Sequence, residues 1–134
     1  MHTSASIVDA TMRHLRRIAK SFTFAGEGLR YLVRTQSNFW VHLTAALLAL
    51  TLGVLLHLSA VELAVLALTI GFVLAAEAVN TALEALVDLA SPHFHPLAKV
   101  AKDVGAAAVL FASLTAVLVG LVLLLPRLLE LLSR

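Results

Sequence analysis

Four polar side chains, Glu77, Asn80, Glu84 and Asp88, stand in the otherwise apolar stretch GFVLAAEAVNTALEALVDLASP. Their spacing is three, four and four, which on a helix gathers all four within roughly 80° of one face. An ionised carboxylate in hydrocarbon is costly unless it is paired, metal-bound or wet, so such a row marks a site. Glu77 is the deepest of the carboxylates, and a secluded carboxylate suits general-base work. Glu84, about two turns further on, is a hard oxygen ligand of the kind Mg²⁺ takes. Asn80 lies between them and can donate or accept. Lys102 is expected to open the next helix, where a phosphate would meet a cation and free backbone N–H groups together. Asp103 can order Lys102 or help hold a metal. A base, a metal and a phosphate-binding cation are the parts of phosphoryl transfer. Neither a GxxxxGK loop nor a kinase Gly-rich loop occurs, so a familiar nucleotide fold is not implied.

The elements that must position these groups are membrane helices. Of 134 residues, 60% are hydrophobic and 13% charged, with a mean hydropathy of +0.97, far from a soluble average. Three segments, about 39–58, 61–89 and 104–126, reach the ~20 residues that a hydrocarbon core requires. A link of a few residues around His57–Ala60 makes the first two a tight antiparallel hairpin. SPHFHPLAKVAKD joins the second to the third, with Pro92 and Pro96 stopping the second span and Pro126 ending the third. Residues 1–38 form an N-terminal segment in which Ile7–Val33 reads as an amphipathic surface helix or pair of helices. There Arg13, Arg16, Arg17 and Lys20 oppose Ile18, Phe22, Phe24, Leu29, Tyr31 and Leu32, and Gly26 and Gly28 are candidate breaks. The expected class is an all-α membrane protein: a single domain with three transmembrane helices and an N-terminal surface helix.

Six Lys and Arg residues lie in the N-terminal segment, two in the second link and none in the first. The positive-inside bias therefore places the N-terminus and the Lys99–Lys102 loop in the cytoplasm and the C-terminus outside. The acidic face then lies in the cytoplasmic half of the second span, within reach of an anionic cytoplasmic ligand. The pI near 9.5 reflects membrane-flanking charges rather than a nucleic-acid surface. With no cysteine, disulfide and thiolate chemistry are excluded. No cleavable signal peptide is expected.

Blander readings stand beside these. Lys99 and Lys102 alone are ordinary positive-inside charges. His42, His93 and His95 lack metal spacing on one helix and read as loop or interfacial packing. Gly105 and Ala106–Ala108 let helices approach closely. A small channel or proton-relay subunit also uses intramembrane carboxylates. A pore, however, would favour polar residues along a whole helix, and the first and third spans are almost wholly apolar. A structural anchor would leave Glu77 and Glu84 tolerant of substitution.

The run E77-A-V-N80-T-A-L-E84-A-L-V-D88, followed by P92-H-F-H95-P-L-A-K-V-A-K102-D103-V-G-A-A-A, resembles the signature of the prokaryotic integral-membrane diacylglycerol kinase / undecaprenol kinase family. S21-F-T-F24-A-G-E-G28 and R34-T-Q36-S-N38-F-W-V-H42 extend the similarity upstream, so that it runs from about Arg17 to Pro126. The resemblance implies a homotrimer in the bacterial inner membrane, with active sites between neighbouring subunits and transfer of the γ-phosphate of MgATP to a lipid hydroxyl. By position it implies Glu77 as general base with Asn80 beside it, Glu84 as metal ligand, and Lys102, Asp103, Arg17 and Phe24 around the nucleotide. Gln36 stands where the family commonly has a second metal-binding Glu. A neutral glutamine is a weaker Mg²⁺ ligand, and whether its carbonyl serves is open. The TQxNxxxH stretch and HPLAKVAKD are closer to the undecaprenol kinase branch, with diacylglycerol as the alternative acceptor.

Overall fold

A computed structural model describes residues 2–133, with side chains from Met12 onward. The chain is helical: α1 spans His2–Thr35, α2 Ser37–Leu55, α3 Ala60–Ala90 and α4 Pro96–Leu132. The described residues contain no strand. α1 is a compact unit by itself, and residues 36–134 form the other. Three helices, α2, α3 and α4, are long and apolar enough to cross a membrane. Their large apolar side chains are mostly exposed, among them Leu48, Leu68, Val79, Leu86 and Leu118. That pattern suits helices whose backbone groups are satisfied internally and whose solvent is lipid.

The α1 unit is one uninterrupted helix. Gly26 and Gly28 lie within it, and neither breaks it, because an isolated glycine costs only about 1 kcal/mol in a helix. The side chains of residues 7–11, the start of the expected amphipathic stretch, lie outside the described residues.

In the second unit α3 is the shared element, packing extensively on α4 and less on α2. The α2–α3 turn is built by its caps. The His57 N–H donates to the Val54 carbonyl at 3.1 Å and the Leu58 N–H to the Gly53 carbonyl at 2.9 Å, the pairing of a Schellman motif. His57 takes the left-handed conformation this requires, with φ of 55°, and Leu58 is buried. Two residues on, Ser59 caps α3 in a capping box: its Oγ accepts from the Glu62 N–H at 3.3 Å, and Glu62 Oε2 accepts from the Ser59 N–H at 2.7 Å. At Gly53 an added Cβ would meet Leu63 Cδ2 at 3.1 Å and Leu66 Cδ2 at 3.4 Å. The hairpin is therefore tight at its closed end.

Two expectations are corrected. Pro126 does not end the third span but lies inside α4, which runs on to Leu132. Proline removes only its own donor, Leu128, Leu129, Leu131 and Leu132 favour helix, and Arg127 Nη2 lies 3.7 Å from Glu62 Oε1 across the α3–α4 contact. Nor does Lys102 open the last helix. Pro96 holds the first position, where its missing N–H and fixed φ are suited, after a His95 cap whose Nδ1 accepts from the Leu97 N–H at 3.2 Å. Lys102 thus lies more than a turn inside, where backbone N–H groups are already used.

Replacing Ser59 by Ala should lower the unfolding free energy by about 1 kcal/mol with no change in helix content, read by chemical unfolding in detergent micelles. An unchanged midpoint would show that the cap does not hold the hairpin.

Candidate active site

The row on α3 does not point at one spot. Glu77 turns to α2, where its Oε2 lies 3.9 Å from His42 Nε2. The residue is only 2% exposed, a level at which a carboxylate needs a polar companion. One turn on, the buried Thr81 Oγ1 donates to the Glu77 carbonyl at 3.0 Å, which satisfies the hydroxyl inside the helix and leaves the carboxylate free.

Asn80 turns to α4. Its Nδ2 donates to Glu84 Oε1 at 3.0 Å, while its Oδ1 is buried and without a partner among the described residues. The close approach depends on Gly105: a Cβ there would fall 2.4 Å from Asn80 Oδ1 and 3.0 Å from Leu83 Cδ2. A methyl at this crossing would have to displace the Asn80 amide from the place it occupies. Glu84 is half-buried. The bond from Asn80 fixes one of its oxygens and leaves the other for a cation.

Towards the end of α3, Lys102 Nζ donates to Asp88 Oδ1 at 2.6 Å, joining α4 to α3. Asp103 pairs instead with Lys99, one turn earlier on α4. Asp103 therefore does not order Lys102; Asp88 does. Along α3 the order is Glu77 with His42, Asn80 with Glu84, then Asp88 with Lys102.

Gln36 caps α2 without a side-chain hydrogen bond to the helix, so its carbonyl oxygen is not committed to the cap. On α1, Arg17 and Phe24 are exposed and, seven residues apart, share one face. Among the described residues no three His, Cys, Asp or Glu side chains gather as a metal cage. Mg²⁺ in nucleotide sites usually takes one or two carboxylates and completes its shell with phosphate oxygens and water. Glu84, with one oxygen oriented by Asn80, fits that role.

The sequence profile of prokaryotic diacylglycerol kinase matches residues 23–124. The chain belongs to the prokaryotic diacylglycerol kinase family. It is 49% identical over 112 residues to a diacylglycerol kinase of Synechocystis, covering 83% of this chain and 64% of that protein. It is 42% identical over 114 residues to an undecaprenol kinase of Bacillus subtilis, covering 85% of this chain and 93% of that one. The chain thus spans somewhat less than two thirds of the cyanobacterial relative and nearly the whole of the other. Every residue of the α3 and α4 arrangement lies within the family match.

His42 is the group that reading the sequence missed. Without a second histidine at metal spacing on its helix it reads as packing. Its importance comes from the level at which the α2–α3 hairpin sets it against Glu77, which spacing along one helix does not reveal.

Gly105→Ala should destabilise the protein by about 1–3 kcal/mol through overpacking against Asn80. Gly71→Ala, where nothing lies within 4 Å of the added methyl, should instead stabilise it by up to about 1 kcal/mol, the helix propensity that alanine adds. Unfolding of both variants in one detergent checks the contrast, and equal effects would refute the close crossing.

Proposed function

We propose that the protein is an ATP-dependent lipid kinase that transfers the γ-phosphate of MgATP to the hydroxyl of a membrane lipid, with undecaprenol as acceptor and undecaprenyl phosphate as product. The observation that carries this reading is the nearly inaccessible Glu77 carboxylate in a helix able to span a membrane, in a chain of this family. The near-full-length match to an undecaprenol kinase supports the polyprenol. The higher identity to a diacylglycerol kinase supports diacylglycerol as the second reading, with phosphatidic acid as product.

The proposed arrangement is a homotrimer in the bacterial inner membrane. Its N-terminus is cytoplasmic, its C-terminus lies outside, and α1 lies on the surface as an amphipathic helix. The basic residues of α1 and of the α3–α4 link support that orientation. In the reaction, Glu77 accepts the proton of the acceptor hydroxyl as its oxygen attacks the γ-phosphorus. The new O–P bond forms as the bond from that phosphorus to the β-phosphate bridging oxygen breaks, and ADP leaves. Glu84, oriented by Asn80, is the proposed ligand for Mg²⁺, with the Gln36 carbonyl as a further candidate. Bound there, Mg²⁺ would offset the charge on the phosphate oxygens. Lys102 approaches the phosphates with its charge already shared with Asp88, so it serves as a positioned cation rather than a free one. Arg17 is the proposed further charge for the nucleotide and Phe24 the proposed ring for the adenine, while Asp103 pairs with Lys99 on α4.

The test is Mg²⁺-dependent transfer of labelled γ-phosphate in mixed micelles, with undecaprenol and diacylglycerol offered separately. Phosphorylation of undecaprenol is the expected result. Transfer to diacylglycerol alone would replace the acceptor, and transfer to neither by folded protein would end the kinase reading. Glu77→Gln should reduce turnover about 10³-fold with the helix content unchanged. Glu84→Gln should instead raise the Mg²⁺ concentration required for half-maximal rate, read by magnesium titration at fixed ATP.

A further inference from the structure

His42 has two neighbourhoods. On one side its Nε2 lies 3.9 Å from Glu77 Oε2. On the other it lines a cavity of about 290 Å³ between α2, α3 and α4, whose walls include Ala46, Ala49, Val73, Ser113, Ala116 and Gly120. The gap to Glu77 is too long for a direct hydrogen bond, yet short enough for one oxygen atom to contact both groups. A hydroxyl in that position accepts from the His42 N–H and donates to Glu77, provided the ring carries its proton on Nε2.

The cavity begins at His42 and runs along α2 as far as Ala49, roughly 10 Å at the helical rise. Its lining is almost wholly apolar. Thr69 Oγ1, on the wall, is already bonded to the Val65 carbonyl at 2.8 Å. Ser113 Oγ is buried without a partner among the described residues. A hydrocarbon joined directly to its hydroxyl-bearing carbon brings no further polar group into the slot, and on the wall only Ser113 Oγ stays unmet. A glycerol diester would bring two esters within a few bonds of the hydroxyl, and burying them without matching donors is costly; Ser113 supplies one.

We propose that His42 is a catalytic residue that holds the acceptor hydroxyl against Glu77, and that the slot it opens seats the adjoining hydrocarbon of an allylic alcohol, which makes this wall the determinant of acceptor class. The proposal deepens the lipid-kinase reading and rests on Glu77 as base. The hydrogen bond from His42 leaves the proton of the hydroxyl for Glu77 and the second lone pair of the oxygen for attack.

The experiment compares the parent with His42→Ala, His42→Gln, Ala116→Leu and Glu77→Gln in micelles, using undecaprenol and diacylglycerol as acceptors and following kcat and KM for each lipid and for MgATP. His42→Ala should lower kcat with undecaprenol about 10- to 100-fold with the KM for MgATP unchanged. His42→Gln, which keeps an N–H donor at similar reach, should recover most of the loss. Ala116→Leu, which narrows the slot, should raise the KM for undecaprenol about tenfold, again without moving the KM for MgATP. If this leucine is not accommodated, Ala49→Val narrows the opposite wall and carries the same expectation.

Unchanged kcat in His42→Ala, with Glu77→Gln inactive, would overturn the proposal while leaving the base intact. An active Glu77→Gln would overturn the base reading itself. A slot variant that shifts the oligomeric state in size-exclusion chromatography, at unchanged lipid KM, would assign the slot to a second copy of the chain and overturn its lipid occupancy.

Discussion

An ionisable group in hydrocarbon dictates what must surround it. Glu77 is nearly inaccessible in a helix made mostly of alanine, valine and leucine, and transfer of a bare carboxylate to such a place is prohibitive. Across the helix contact it faces a histidine on α2, a side chain that can donate a hydrogen bond without carrying a fixed charge. A lysine or arginine there would neutralise the carboxylate by permanent pairing. A histidine leaves it available to accept a proton, which is the property a base requires.

The same helix meets α4 in a different manner. At Gly105 the two backbones come close enough for Asn80 to occupy the space of an absent side chain, and Asn80 then reaches Glu84. Further along, the helices are joined by the ion pair of Asp88 and Lys102. One face of α3 thus serves three purposes at successive levels: a secluded carboxylate, an oriented carboxylate and an anchored cation. A base, a metal ligand and a cation are the groups that phosphoryl transfer uses.

Much of this was legible in the sequence, because lipid imposes simple rules. Long apolar runs gave three helices, and the three-four-four spacing found the polar face before any contact was known. What failed were inferences from single residues. Pro126 read as a stop, yet the apolar residues after it continue the helix. Lys102 read as a helix start because the link looked irregular as far as Asp103, whereas Pro96 already begins α4. His42 carries no signal in the sequence, since no other histidine stands at metal-binding spacing on its helix. Its contact depends on two helices being folded back on each other, and that information is distributed over the whole hairpin. The partition of the polar face between α2 and α4 was equally hidden, since a projection shows direction but not which neighbour lies there.

The α2–α3 turn acts as a ruler. Gly53 sits against Leu66 near the closed end, and His42 and Glu77 each lie eleven residues from that contact along their own helices. Two helices of equal rise, started together, bring those residues to one level. One residue more in α2, between Gly53 and His42, would move the imidazole by about 1.5 Å along the axis and about 100° around it, facing it away from the carboxylate. The spacing of the hairpin arms is therefore constrained by phase rather than by composition. The size of the apolar residues there shapes the slot, whereas their number is fixed by a meeting some 16 Å away.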